Sequence, residues 1–559
     1  MIRVWGEFRV FEELREIQHE YGYLPVEQLQ LLAGKIQLPL SQIHAVASFY
    51  PHFRLTPPPR VDVRVCGDMT CHIRGGPEVK GALQQAFRGT EDVVIRDVSC
   101  LGRCDQAPAV CVNELIYPEM TASGAVGMAR DVLSGRQLPA EPREGRKVRV
   151  ASDPYEGKPG YGVVRKFIET RDWAGVIATL KSSSLRGMGG AGFPTGMKWE
   201  IVRNAPGTER YIVCNADESE PGTIKDRFIM EQVPWLVIEG MIVAGLVTGA
   251  RKGILYIRHE YENPREILQE EIARCYAQRL LGKGILGSDL TFDLEIFVSP
   301  GGYICGEESA LLEAIEGKRS EPRNKPPFPG TNGLWNKPTV INNVETFTFA
   351  TAILARGIEW YKAQGTNGSV GMKFVGISGD VNRPGVYEIP MGTKYSELIY
   401  QYGGGILGGK AMLSFAPSGP SAGYLPASMA ELPLDWNAVA AAGSMVGSGA
   451  IVVCAEGRCM LDMALNAVRF FRNESCGKCV PCRVGSQKMT DMLTAWTQGK
   501  SGAGDLQLLD ELSTAMKMTS ICGLGQVVPV PIVSVMKHFP DVVKEHVEQR
   551  RCAAGVCFG

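Results

Sequence analysis

An excess of charge is the first thing this sequence lacks. Its 59 Lys and Arg balance 60 Asp and Glu to a net charge of -1 over 559 residues, which gives no electrostatic case for nucleic-acid binding. No basic-then-apolar leader follows Met1-Ile2-Arg3, so no secretion signal is expected. Long apolar runs are missing as well. Trp235 to Tyr256 is interrupted by Glu239, Arg251 and Lys252, and Asn437 to Ala455 is uncharged but rich in Ala, Gly and Ser. Neither matches the ~20 strongly apolar residues of a membrane span, and both are expected as buried elements. At 45% hydrophobic and 21% charged, the composition is that of an ordinary globular chain. The length suggests about three to five domains.

Cysteine, by contrast, is plentiful. The sixteen cysteines fall in ligand-like spacings, which suits a reduced cytoplasmic compartment better than a disulfide framework. Cys476, Cys479 and Cys482 form C-x2-C-x2-C, and Cys522 follows in Ile521-Cys522-Gly523-Leu524-Gly525. Three clustered thiolates and a distant fourth are a ferredoxin-type way of holding a [4Fe–4S] cluster; a four-thiolate zinc site is the alternative. Cys66-x4-Cys71 and Cys100-x3-Cys104 provide the two thiolate pairs of a [2Fe–2S] cluster. Their alternative is a set of small buried hydrophobes, and Cys111 reads as core. This module has no C-x-x-C, which argues against a redox dithiol. Cys552 and Cys557 at the tail lack a partner pair; they are either incidental or part of a further site or partner interface.

Helical spacing covers Phe11 to Tyr21, a second helix can start at Pro25 and end at Gly34, and a third covers Gln42 to Phe49. Val61 to Val65 alternates as a strand, Pro77 to Phe87 and Ala122 to Leu133 are predicted helices, and Val93 to Val98 and Ala107 to Val112 are predicted strands. This order, with the C-x4-C and C-x3-C pairs, resembles the thioredoxin-like iron–sulfur subunit of complex I and its relatives over residues 1 to about 145.

Beyond it, Gly187, Gly189 and Gly192 satisfy G-x-G-x-x-G within a loop denser in glycine than a turn requires, and Lys198 follows. Exposed backbone N–H groups there can approach a phosphate or ring system. The apolar strand Tyr211 to Cys214 runs into Asn215, Asp217, Glu218 and Glu220, and ligands gather at the carboxyl ends of parallel strands. Three more segments follow: Ser299 to Ser309, Lys325 to Pro329, and Thr339 to Thr346. Together these resemble, in order, the flavoprotein subunit of complex I over about residues 160 to 545. The resemblance implies FMN held by Gly187, Gly189, Gly190, Gly192, Lys198, Asn215, Asp217, Glu218, Glu220, Tyr303, Gly306, Glu307, Glu308, Asn342, Asn343 and Thr346. It implies NADH contacts at Phe193, Glu218, Glu220, Lys325 and Phe328. Complex I relatives usually carry Arg where this chain has Met188, so one cationic contact is expected to be missing. Glu218 is the residue expected to limit side reactions at the flavin.

The expected fold is a multidomain α/β chain. Its parts are an N-terminal helical segment (1–60), a thioredoxin-like [2Fe–2S] domain (61–145), a linker (146–170) and a Rossmann-like FMN/NADH domain (171–370). A β-grasp domain (371–455), whose residues look structural, a helical bundle with the [4Fe–4S] cluster (456–547) and a tail (548–559) complete it. Fusion of the two complex I-like modules resembles NAD-linked formate dehydrogenases and hydrogenases. The stretches Ile521 to Pro540 and Pro426-Ala427-Ser428-Met429 ahead of Pro433-Leu434-Asp435 resemble the formate dehydrogenase β-subunit most. No molybdopterin or nickel site is present, so that resemblance implies a catalytic partner, a molybdo- or tungstopterin α-subunit. The alternatives are a hydrogenase diaphorase subunit or a complex I-like dehydrogenase and, in another class, a structural zinc protein with a degenerate nucleotide fold.

Overall fold

The computed structural model describes residues 10–141, 148–502 and 504–558. The chain start Met1-Ile2-Arg3 and the domain junction expected at 145/146 lie outside the described residues. Helices Val10–Tyr21, Val26–Ile36 and Leu40–Ala47 form the prologue. Its aromatic face decides where it packs. Phe11 lies edge-on to Tyr50 (5.0 Å) and to Phe297 (6.0 Å), and Tyr50 OH donates to the carbonyl of Lys318 at 2.6 Å. The prologue therefore buries its apolar stripe in the core of the large central domain.

The first sheet contains β1 (Val61–Cys66), β2 (Val93–Val98), β3 (Val110–Val112) and β4 (Leu115–Tyr117), in the order β2-β1-β3-β4. β1 runs parallel to β2 and antiparallel to β3. Helices Gly76–Ala86 and Ala122–Leu133 bury Val79, Leu83, Ala125 and Ala129 against its valines. This is the thioredoxin-like arrangement, with its cysteines near the strand ends.

The second sheet holds β5 (Tyr211–Ala216), β6 (Lys252–Arg258), β7 (Gly282–Lys283), β8 (Thr291–Ser299) and β9 (Thr339–Asn343), in the order β7-β8-β6-β5-β9. All pairs but β7–β8 are parallel. The chain steps from β5 to β6 and β8 on one side, then returns to place β9 on the other. β5 and β9 thus flank the topological switch point, where their carboxyl ends open a crevice. The Trp235–Tyr256 run becomes the wholly buried helix Pro234–Thr248 followed by β6. Among the described residues no single helix is long and apolar enough to cross a membrane; Lys225–Gln232 with Pro234–Thr248 passes only as a pair bent by 94°.

The third sheet comprises β10 (Met372–Gly379), β11 (Gly385–Pro390), β12 (Met412–Ala416), β13 (Leu425–Pro426) and β14 (Ala450–Ala455), in the order β11-β10-β14-β12-β13. The helix expected over Tyr395 to Tyr402 starts as one turn and widens to a π-helix over Leu398–Tyr402. Beyond the sheet, helices Met460–Asn473, Val480–Thr497, Asp505–Thr519, Gly523–Val527, Val530–His538 and Pro540–Val547 form the C-terminal bundle, broken at the cysteine loops.

The described part of the stretch expected as a linker is docked. Ala151 and Ser152 N–H donate to Glu388 at 2.6 and 2.9 Å, and Tyr155 OH donates to Glu239 at 2.8 Å. The other Glu239 oxygen accepts from Val163 and Val164 N–H at 2.9 and 3.1 Å, at the start of helix Gly162–Thr170. Burial pushes the Glu239 carboxyl up to about 7. A carboxyl raised in the fold stabilises fully below its unfolded value and loses that contribution as pH rises through its folded value. We therefore expect the wild-type melting temperature to fall between pH 5 and pH 8 by more than that of Glu239→Gln. Glu239→Ala, which orphans two N–H groups and a phenol, should cost about 2 to 4 kcal/mol at either pH. Thermal unfolding of the three proteins at both pH values checks this, and parallel pH slopes for wild type and Gln would refute it.

Candidate functional site

The crevice at the switch point is built from three loops. The first is the glycine-rich loop, closed on itself by Gly187 N–H donating to the carbonyl of Phe193 at 2.8 Å. It leads directly into helix Thr195–Asn204. Gly190 has φ +130° with nothing within 4 Å of a Cβ, whereas a Cβ on Gly189 would come within 3.1 Å of Asn343. The loop is therefore tight against β9 on one side and open on the other, as a backbone cradle requires. Met188 N–H donates to Thr346 Oγ1 at 2.9 Å. From the helix, Lys198 Nζ donates to the carbonyl of Ile341 (2.9 Å), and Trp199 Nε1 to Asn342 Oδ1 (2.9 Å). Burial lowers the Lys198 ammonium, so the residue would welcome a phosphate.

The second loop leaves β5. Asn215 Nδ2 donates to the carbonyl of Gly306 (2.8 Å), and Asn343 Nδ2 donates to Asp226 (2.6 Å) and to the carbonyl of Asn215 (3.3 Å). Asp217 accepts from Ser219 through Oδ2 at 3.1 Å, and Ser299 at the end of β8 also faces its carboxyl. Burial pushes this carboxyl up to about 7. Asn215, Asp217 and Asn343 thus gather polar groups at the carboxyl ends of β5 and β9, an edge that fits a hydroxyl-rich ligand such as a ribityl chain.

Glu218 sits differently from its neighbours. Its oxygens accept from Asp226 N–H (2.7 Å), Arg227 N–H (3.0 Å) and Tyr261 OH (2.8 Å), so it anchors the start of helix Lys225–Gln232. Burial, with Asp226 next, pushes it up to about 8. Glu220 accepts from Ser421 N–H at 3.1 Å and is raised by burial to about 7.

The third loop follows β8. Glu307 accepts from Ser309 and Ala310 N–H, both at 2.9 Å, which caps helix Glu308–Ile315. Lys325 Nζ bridges Glu307 (2.8 Å) and Glu308 (2.7 Å). Phe193 and Phe328 stand 41% and 58% exposed, two rings free to stack on a planar group. Tyr303 faces the other way, 5.1 Å from the ring of Phe470 on helix Met460–Asn473.

Beside Met188, where one cationic contact is expected to be missing, lies a lysine from the third sheet. Lys373 of β10 is fully buried, with Nζ 4.0 Å from Met188 Sδ and 3.3 Å from Glu345.

Around the thioredoxin-like sheet, Cys66, Cys71, Cys100 and Cys104 are all buried, and the sulfurs of Cys100 and Cys104 lie 3.4 Å apart. Gly222 N–H donates to Cys104 Sγ at 3.2 Å, Arg227 to the carbonyl of Gly102 at 3.0 Å, and Arg258 to the carbonyl of Cys100 at 2.6 Å. A Cβ on Gly102 would fall 2.5 Å from Tyr261, so this loop can seat only as glycine. The central domain thus grips the [2Fe–2S] loop directly.

In the bundle, Cys476 precedes helix Val480–Thr497, Cys479 caps it, Cys482 lies in its first turn, and Cys522 precedes helix Gly523–Val527. Among the described residues these thiols do not converge within the 4.8 Å expected around one ion, which suits a cubane better than zinc. Glu474 joins the two cluster regions. It accepts from Ser99 OH, next to Cys100, and from Tyr303 N–H at 2.6 Å. A cavity of about 1390 Å³, lined in part by Cys66, Cys100, Tyr303, Glu474 and Cys476, opens between them. Sequence reasoning missed Glu474, Lys373, Arg258, Tyr261 and Trp436, whose ring lies 3.2 Å from a Cβ built on Gly192. Only Glu474 had a local signal, its position two residues before Cys476.

Comparisons with known proteins agree with this geometry. The Nuo51 FMN-binding domain matches residues 180–351, and the NADH-ubiquinone oxidoreductase-F iron-sulfur binding region matches 462–546. The thioredoxin-like [2Fe-2S] ferredoxin family matches 7–132, and the SLBB domain 374–424. An NADH-quinone oxidoreductase subunit of Rhizobium meliloti (strain 1021) is 42% identical over 71% of this chain and 94% of its own length. The NAD-reducing hydrogenase HoxS subunit alpha of Cupriavidus necator is 32% identical over 96% of this chain and 91% of its own length. The crystal structure of an NAD+-reducing [NiFe]-hydrogenase in the H2-reduced state contains a chain with TM-score 0.87 and 31% identity, covering 96% of this chain and 93% of that one. The chain belongs to the Nuo51 family of NADH-quinone oxidoreductase flavoproteins, as an FMN- and iron–sulfur-dependent NADH dehydrogenase-type oxidoreductase component that also carries the thioredoxin-like [2Fe–2S] domain.

Proposed function

We propose that this chain exchanges a hydride between NAD(H) and FMN and relays single electrons through the Cys476, Cys479, Cys482 and Cys522 cluster. The relay runs to or from a catalytic partner that oxidises formate, in a cytoplasmic complex. The single observation that carries the first part is the cradle at the β5/β9 switch point, where the glycine loop is tight against Asn343 at Gly189 and open at Gly190. FMN, when bound, supplies the conversion between a two-electron donor and one-electron carriers. The chain's own residues do the rest. Gly187, Gly189, Gly190 and Lys198 would receive the phosphate side, Asn215, Asp217 and Thr346 the ribityl and ring edge. Phe193 and Phe328 would sandwich the nucleotide while Lys325, held by two acids, stands ready for its phosphates. Tyr303 packs against Phe470 and Phe471 between this crevice and the bundle.

The formate assignment rests on resemblance. The segment Pro426 to Asp435 ends on Asp435, which caps helix Trp436–Ala441 and so aims Trp436 at the glycine loop. That likeness therefore extends to a wall of the flavin site. A hydrogen-oxidising partner is the second reading, favoured by the full-length match to the HoxS subunit alpha and the hydrogenase structure. Purifying the chain with its neighbours and assaying NAD+ reduction separates the two. Formate should support it and hydrogen should not; hydrogen-active, formate-silent material would overturn the formate reading.

Glu220 sets a coenzyme prediction. With its carboxyl raised to about 7, it carries full charge only above that pH, and a charge there repels an added 2′-phosphate. The ratio of kcat/KM for NADH over NADPH should exceed about tenfold at pH 8, roughly 1.4 kcal/mol. It should narrow at pH 6, and Glu220→Gln should flatten the dependence, which separates it from the phosphate's own titration. A wild-type preference for NADPH would sink the idea.

Glu474 sets another. Both groups it accepts from can be satisfied by an amide, since the Ser99 hydroxyl can also accept, whereas alanine satisfies neither. Glu474→Ala should slow cluster reduction by NADH about tenfold, the scale of one lost hydrogen bond, with Glu474→Gln within about twofold of wild type. Stopped-flow absorbance reads both rates, and equal loss in both variants would show that charge, rather than bonding, matters.

A further inference from the structure

The two tail cysteines are not incidental in the fold. Among the described residues, one group of metal-ligating atoms gathers within 4.8 Å: Cys459, His546, Cys552 and Cys557. Cys459 Sγ lies 3.5 Å from His546 Nε2 and 3.8 Å from Cys557 Sγ. A tetrahedral zinc ion with Zn–S of about 2.3 Å and Zn–N of about 2.0 Å sets its ligands about 3.8 Å (S to S) and about 3.6 Å (S to N) apart. The two recorded separations are those edges.

The histidine is prepared for the role from outside. His546 Nδ1 lies 2.7 Å from the carbonyl of Val542. A proton donated there leaves Nε2 as the bare lone pair facing the thiols, the usual way a ligating imidazole is oriented. We propose that Cys459, His546, Cys552 and Cys557 bind one zinc ion, a site separate from both iron–sulfur clusters.

The geometry distinguishes this site from a third cluster. The thiolates of a cubane bind four different irons and stand further apart than ligands of one ion. Four protein ligands also leave no open position, which marks a structural ion rather than a catalytic one. Its mechanical effect follows from where the ligands sit. Cys459 caps the start of helix Met460–Asn473, which leads to Cys476, and His546 lies in the last turn of helix Pro540–Val547. Cys552 and Cys557 belong to the tail, which also reaches the bundle through Phe558 N–H donating to the carbonyl of Thr497 at 3.1 Å. One ion would staple tail, last helix and cluster-bearing helix together, and binding would release the thiol protons.

Metal analysis of the intact, cluster-loaded protein tests this. About one zinc per chain is expected beside the iron, and Zn K-edge X-ray absorption should show three sulfurs at about 2.3 Å and one nitrogen at about 2.0 Å. The Cys552→Ser/Cys557→Ser variant should lose that zinc while keeping its flavin and iron, and its tail should be cut faster by protease. Zinc below about a tenth per chain, a shell of oxygen and nitrogen alone, iron in its place or a disulfide among these thiols would each overturn the proposal. If the double variant does not fold, the absorption spectrum of the unaltered protein still decides.

Discussion

The carboxylate of Glu474 is the contact that ties together the three loops of the candidate site. It stands two residues before the first cubane cysteine, takes the hydroxyl of Ser99 beside Cys100, and takes the backbone of Tyr303 from the loop that edges the flavin crevice. Three loops that carry three different redox sites thus share one acceptor. Each loop is short on regular structure and could shift without it. Sites of this kind function only when their supporting shell holds them within fractions of an ångström. Gly222 does the same from the central domain toward Cys104 Sγ, and Arg258 toward the carbonyl of Cys100, so the loop that carries these cysteines is held on two sides.

Beneath the glycine loop is a second constraint, a buried network of charge. Lys225 Nζ contacts Asp226 (2.6 Å), Asn343 (2.9 Å) and Glu345 (3.0 Å), and Lys373 contacts Glu345 at 3.3 Å. Buried ion pairs are weak sources of net stability but strong enforcers of one arrangement, because losing a partner leaves an uncompensated charge. Here the arrangement enforced is the position of Asn343, and through it the register of β9 beside β5. The network defines which atoms face the crevice.

Much of this was legible in the sequence, for reasons that can be stated. The cysteine spacings were readable because ligand geometry imposes short, fixed intervals, and helix Ala122–Leu133 because its apolar period is local. Trp235 to Tyr256 was legible as a buried element because Glu239, Arg251 and Lys252 interrupt it. What that acid does was not readable: its partners Tyr155, Val163 and Val164 lie more than seventy residues away. Nor was the grouping of Cys459 with His546, Cys552 and Cys557, since nothing in so long a separation along the chain hints that the first meets the last two. Glu218 illustrates the same limit. Its place in an acidic loop suggested a role at the flavin, but nothing local announced that its side chain also bonds Asp226, Arg227 and Tyr261.

The third sheet shows how function can hide in a domain whose residues look structural. Its central strands β10 and β14 are buried along their whole length, and no motif in it suggests a ligand. Yet Lys373 from β10 reaches Met188 in the glycine loop, and Trp436 closes over Gly192. Ser421 N–H engages Glu220. Residues from across a domain boundary thus complete the surroundings of the loop, which is legible only when both sheets are seen together. The same reasoning makes the third domain a wall of the crevice rather than a spacer, because it contacts the glycine loop at two points and the loop after β5 at a third.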